Sequence, residues 1–318
     1  MLKRISSYAF VLMGLVLFNS CKKEYESIQS IDDRKLEEYF TKNNITAIKD
    51  PKGTGFYYQI TNPGTGDFFL NTDSVLYTVA LKSLFNGTTY YTTPAAGNLG
   101  NKVGYTSQLQ VVAPSINNPQ GVNASLSPIS TAIRALKPGG SARVFLPSYL
   151  AFGKNGEAGI GVPSNDVIEI NITTLPEKSQ AALDEKRIRE FMASKGITNA
   201  VRDVSGVYYV VSQVGTGTEP IDLASVLTIN FTGRLLNGTV FDSTTDGTFV
   251  TNLINEVTPT GQRGVITGWQ VLTKFKKGTK VRLIIPSTKA YGNNVTNSTI
   301  WENTPLDFDI EIVEVVNN

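Results

Sequence analysis

Residues 226–243, VLTINFTGRLLNGTVFDS, decide how the rest of this chain is read. Leu227, Ile229 and Phe231 alternate with Thr228, Asn230 and Thr232, the period of two that turns one strand face to a core and the other to water. Asn237-Gly238 follows, and both residues tolerate the positive φ of a tight hairpin turn. Alternation returns at Val281, Leu283 and Ile285 against Arg282 and Ile284, and at Leu306, Phe308, Ile310 and Ile312 against Asp307, Asp309 and Glu311. Gly and Thr gather at 61–67 and 213–220, marking turns. Upstream, Leu183, Ile188, Phe191 and Met192 share one face of a helix that Gly196 ends. A short helical piece is expected around Val271 to Phe275. The order of these pieces is α+β.

The same unit occurs earlier in the chain. Gly206-Val207-Tyr208-Tyr209 stands 151 positions after Gly55-Phe56-Tyr57-Tyr58, and Gly64-Thr65-Gly66 and Asn86-Gly87-Thr88 have counterparts at the same distance. Later the offset falls to 139, pairing Pro147-Ser148 with Pro286-Ser287 and Phe152-Gly153 with Tyr291-Gly292. The first copy therefore carries about 12 extra residues, placed as a surface insertion. Leu36, Tyr39 and Phe40 mark its own leading helix. The expected division is 1–21 export signal, 22–50 tether and helix, 51–176 first copy, 177–200 linker helix and 201–318 second copy.

Composition removes several functions. Charged residues make up 18% of the chain and the net charge is +2, without the basic surplus of a nucleic-acid binder. Histidine is absent, which excludes Ser-His-Asp triads, imidazole acid-base chemistry and His-held metals. The one cysteine, Cys21, permits neither an internal disulfide nor a thiolate metal cluster. No metal or other cofactor is expected.

Within the second copy, Asn230-Phe231-Thr232-Gly233, Val240-Phe241-Asp242-Ser243, Val265-Ile266-Thr267-Gly268-Trp269, Leu283-Ile284-Ile285-Pro286 and Ala290-Tyr291-Gly292 follow in order. This succession resembles the FKBP-type peptidyl-prolyl isomerase family over about residues 204–316. The resemblance implies two tandem FKBP-like domains, each a bent antiparallel sheet wrapped around a short helix. It also implies an apolar pocket in the second. Trp269 would be its floor, Phe231 and Phe241 its walls, and Val265, Ile266, Tyr291, Ile300 and Phe308 its sides and rim. Phe249 is a further match, and Asp242 would put a carboxylate at the edge. A backbone donor near Ile266 and the Tyr291 hydroxyl would anchor substrate carbonyls. The substrates implied are proline-containing polypeptides.

Three departures stand out. Phe231 occupies the position of a family tyrosine, the Thr251–Gly264 loop is longer than usual, and Ile300-Trp301-Glu302-Asn303 replaces a proline-rich rim. Plain structural roles also fit some positions: Ile285 and Phe308 as core, Asp242 as a turn residue. The first copy has Ala80 for the wall aromatic, Tyr90-Tyr91 for Phe241-Asp242, and Ile129 or Ser130 near the tryptophan position. Isomerase chemistry is therefore expected only in the second copy. The first is read as a spacer, or as a peptide-binding module using Tyr90, Tyr91 and Phe152. A non-catalytic binding role for the whole chain is the alternative.

The N-terminus reads as an export signal, with Lys3 and Arg4 before the apolar run Tyr8–Phe18, too short to span a membrane comfortably. Leu17-Phe18-Asn19-Ser20-Cys21 resembles a bacterial lipoprotein box, which implies acylation of Cys21 and attachment to a membrane. An ordinary signal with an incidental cysteine is the other reading. The Lys22-Lys23-Glu24 stretch is similar to tethers of Bacteroidetes lipoproteins. Together they imply an outer-membrane lipoprotein of the cell envelope, facing the periplasm or the cell surface, that acts on exported proteins.

Overall fold

The computed structural model describes residues 26–106, 128–254, 264–293 and 299–317. Helix α1 (Ile28–Lys42) starts where Ser27 Oγ accepts from the Ser30 N–H, and leads into β1 (Ile48–Lys49), β2 (Tyr57–Asn62) and β3 (Ser74–Ser83). β4 (Thr89–Thr92), β5 (Leu99–Lys102), helix α2 (Pro128–Arg134), β6 (Ser141–Leu146) and β7 (Ile168–Thr174) complete the first half. Helix α3 (Gln180–Ser194) begins at Ser179, whose hydroxyl caps Ala182, and Gly196 follows its end at φ +64. The second half holds β8 (Val201–Arg202), β9 (Tyr208–Gln213), β10 (Val226–Leu235), β11 (Val240–Thr251), a 3-10 helix at Thr267–Lys274, β12 (Lys280–Ile285) and β13 (Leu306–Val316).

The two sheets have one strand order. The first runs β1-β2-β6-β7-β3-β4 and the second, read from its other edge, β8-β9-β12-β13-β10-β11, with every pairing antiparallel. They differ at one edge. Where β11 is one strand that pairs β10 through two register shifts, the first half has two short strands, β4 and β5, both on β3 and separated by residues 93–98.

Each sheet closes over its own apolar core. Ile129 and Ile133 of α2 pack against Val79 and Leu81 of β3 and Ile170 and Ile172 of β7. In the second half, Trp269 and Leu272 pack against Ile229 and Phe231 of β10 and Phe308 and Ile310 of β13. The helical piece expected near Val271 is a 3-10 helix that starts earlier, at Thr267. The end of β12 departs from one-face burial: Ile284 is fully buried on the outer face, because Ile188 and Phe191 of α3 cover it. Phe145 of β6 is buried the same way under Leu36 and Phe40 of α1. Among the described residues no helix is long and apolar enough to cross a membrane. Cys21 and the expected export signal lie outside the described residues.

Candidate functional site

The hairpin that begins with residues 226–243 forms one wall of an open cavity of about 580 Å³. Its inward alternation delivers Phe231 from β10, and β11 delivers Phe241 and Phe249. Phe308 of β13 comes from the paired strand on the other side, since Gly233 lies opposite it in register. At Gly233 any side chain would collide: an added Cβ would stand 2.6 Å from Phe241 Cζ and 2.7 Å from Phe308 Cε1. A glycine inside an otherwise regular strand is a sequence mark of such a close approach.

The floor belongs to the 3-10 helix. Trp269 is 3% exposed and its N–H donates to Ile266 O at 3.0 Å, tying the floor to Val265 and Ile266 at the rim. Its indole meets Phe231 at 5.3 Å and 71°, Phe308 at 5.3 Å and 89°, and Phe249 at 6.1 Å and 75°. Phe241 meets Phe308 edge-on at 5.5 Å. Edge-to-face packing of this kind fixes ring orientation beyond what area burial alone does. Gly268 precedes the tryptophan because the helix presses on β12, where an added Cβ would lie 2.4 Å from Ile285 Cγ2. The indole Nε1 is buried and has no hydrogen-bond partner among the described residues.

Two ionisable side chains, Asp242 and Tyr291, reach the cavity. Asp242 is exposed at its edge, and Tyr291 enters from the loop after β12. Burial first, and then the nearby Asp242 carboxylate, push the Tyr291 phenol above its ordinary value, so its O–H stays a donor at neutral pH. The aromatic walls are thus bordered at one side by a carboxylate and a hydroxyl.

Of the residues expected here from sequence, Phe231, Phe241, Asp242, Phe249, Val265, Ile266, Trp269, Tyr291 and Phe308 all line this cavity. Ile300 does not line it; the side chain is 2% exposed within the core beneath. Val250, Thr251, Asn252 and Gly264 also line it and escaped the sequence reading. Thr251 and Asn252 sit where regular strand alternation ends, so no periodicity marked them. Ile285 is core, fully buried under Gly268. In the first half, Ile129 of α2 is 1% exposed, Tyr90 and Phe152 pack on the same core, and Tyr90 Oη donates to Asp166 at 2.7 Å.

An antiparallel sheet, a short helix carrying a tryptophan floor and an aromatic cavity between them make up the site. Residues 217–313 match the family model described as FKBP-type peptidyl-prolyl cis-trans isomerase, and this C-terminal part of the chain belongs to that family. The chain is 34% identical over 143 residues to the FKBP-type peptidyl-prolyl cis-trans isomerase FkpA of Buchnera aphidicola subsp. Schizaphis graminum, covering 44% of this chain and 52% of that one. It is 31% identical over 132 residues to the peptidyl-prolyl cis-trans isomerase Mip of Coxiella burnetii, covering 41% and 54%. The crystal structure of FkpA from Escherichia coli is similar at 30% identity and a TM-score of 0.35, over 42% of this chain and 60% of that one. The chain thus spans about half the length of the curated relatives it matches.

Proposed function

We propose that the protein is a peptidyl-prolyl cis-trans isomerase whose active site is the Trp269 cavity of its C-terminal half. The observation that carries this reading is the convergence of Trp269, Phe231, Phe241 and Phe308 with Tyr291 and Asp242 around one open cavity. Rotation about a peptide bond must break amide resonance against a barrier of roughly 18–20 kcal/mol, and uncatalysed exchange at proline takes about 10–100 seconds. No nucleophile is needed. The aromatic walls take up the proline ring and remove water from the imide, which favours the twisted amide because its charge separation is smaller than that of the planar form. The Tyr291 hydroxyl and the backbone N–H near Ile266 hold the flanking carbonyls. Only contacts that strengthen in the twisted geometry accelerate the reaction.

In the same proposal the first half, residues 51–176, is a second copy of the fold that has lost the pocket, with Ala80 at the position of Phe231 and Ile129 near that of Trp269. Acylation at Cys21 anchors the chain to the cell envelope, and the clients are exported polypeptides. The similarity of the C-terminal half to FkpA and Mip supports the isomerase reading.

The test is a prolyl-isomerisation assay on short peptides with the full-length chain. Catalysis well above the spontaneous rate is expected. Peptide binding with no acceleration would instead favour a non-catalytic binding role.

A further inference from the structure

The residues that split β4 from β5 in the first half reach across to the second. Ala96 packs on the second half's core, and Tyr91 meets Trp301 at 5.9 Å. Gly97 lies so close that an added Cβ would stand 2.5 Å from Glu302 O and 2.8 Å from Trp301 Cδ1. Asn98, fully buried, accepts at its backbone oxygen from Asn303 Nδ2 at 2.9 Å, while its N–H donates to Glu302 O at 3.4 Å. Arg187 of helix α3 joins the two sides. It donates to Asn98 Oδ1 at 2.8 Å, to Gly97 O at 3.0 Å and to Asn303 O at 3.2 Å.

From Asn303 the connection runs into the cavity. Asn303 sits in the left-handed region at φ +56, and its N–H donates to Gly292 O at 2.7 Å. Gly292 N–H in turn donates to Ser287 O at 2.9 Å. Gly292 directly follows Tyr291, whose ring lines the cavity. Asn303 is thereby hydrogen-bonded to the residue that follows Tyr291, and the first half and α3 hold Asn303.

We propose that Asn98 and Arg187 are positioning residues through which the first half fixes the Tyr291 side of the cavity and so sets which residue beside the substrate proline is accepted. This rests on the isomerase reading above. A rim held in its bound arrangement spares the ordering cost that a loose one would add on binding. The Trp269 floor is built within the second half, so loosening the rim should act on KM more than on kcat.

The experiment uses the full-length chain, Gly97→Ala, Arg187→Met and peptides that differ only in the residue before proline. Gly97→Ala sets a methyl against the Glu302 carbonyl at a position without positive φ, and Arg187→Met keeps the apolar stem while removing the donors. Amide exchange at Asn303 and Gly292 should quicken about tenfold in both variants. KM should rise about fivefold for peptides with a bulky residue before proline, with kcat within about twofold. An unchanged KM profile overturns the proposal, whether or not exchange quickens. A uniform fall in kcat across all peptides with a lowered melting temperature overturns it too, since that reads as lost stability alone. Should the parent chain catalyse no isomerisation, the isomerase reading falls, and the positioning role is read from peptide binding by tryptophan fluorescence. An unchanged binding profile in both variants then overturns it.

Discussion

Asp184 of helix α3 accepts a 2.7 Å hydrogen bond from Ser287 Oγ just beyond β12, with both side chains fully buried. The first half repeats the join: Asp32 of α1 accepts from Ser148 Oγ at 2.6 Å and from Ser148 N–H at 2.8 Å. In each half the leading helix is thus latched to the turn before the late loop, which in the second half carries Tyr291.

Asp184→Ala should destabilise the protein by about 1–3 kcal/mol, because it leaves the Ser287 hydroxyl and nearby backbone donors buried without an acceptor. Burial holds the Asp184 carboxyl above its ordinary 3.8, against the opposing pull of Ser287 and Gln180. A raised folded-state value means that its contribution is fully present below 3.8 and is lost as pH rises through the raised value. Asp184→Asn should therefore lose less stability than the parent as pH climbs from 3.8. Thermal melts of the two proteins at stepped pH read the difference directly.

Trp269→Leu keeps an apolar floor but removes three edge-to-face ring contacts. We expect kcat/KM to fall by about tenfold or more, equivalent to about 1.4 kcal/mol of transition-state stabilisation. Circular dichroism should still report a folded sheet. The first half, with Ala80 at the position of Phe231 and Ile129 near that of Trp269, should not make up the loss. Full turnover in a well-folded variant would move the active site elsewhere.

Tyr291 sets the alkaline side of the expected pH profile. With the phenol pushed above its ordinary 10.0 and no histidine in the chain, turnover should be level between about pH 6 and 9. Asp242→Asn removes the neighbouring negative charge, so the Tyr291 phenol should ionise at lower pH than in the parent. Tyrosinate absorbance of the two proteins, corrected with Tyr291→Phe, measures that shift. Because Asp242 is exposed, the melting temperature should hardly move while turnover falls.

Cys21→Ser should move the protein from the membrane to the soluble fraction with its signal uncleaved. Stable anchoring requires more than one acyl chain, as a multiply acylated cysteine provides. Unchanged membrane attachment of the variant would count against a lipid anchor.

Much of the cavity was legible in the sequence because strand alternation is a local property. Phe231 and Phe308 point inward as their period of two requires, the Asn237-Gly238 turn returns the chain with Gly238 at φ +94, and Gly268 announces the tryptophan behind it. The motifs around these residues carried the family resemblance for the same reason. Ile300 went differently: the family resemblance implied a place at the cavity rim, but whether it faces the cavity or the core depends on tertiary packing. Ile284 likewise reads as the outward partner of Leu283 and Ile285, and becomes core only when α3 lies over it.

The sequence by itself determined the α+β order through periodicity and turn residues, and its ordered motifs, by their resemblance to the family, implied the aromatic walls and the tryptophan floor. Only the tertiary structure decided that Gly97, Asn98 and Arg187 meet Glu302 and Asn303. Those contacts join residues more than a hundred positions apart through backbone carbonyls, and a carbonyl is the same at every position in a sequence. Which oxygen the half-buried Arg187 guanidinium finds depends on how two separately closed sheets come to rest against each other.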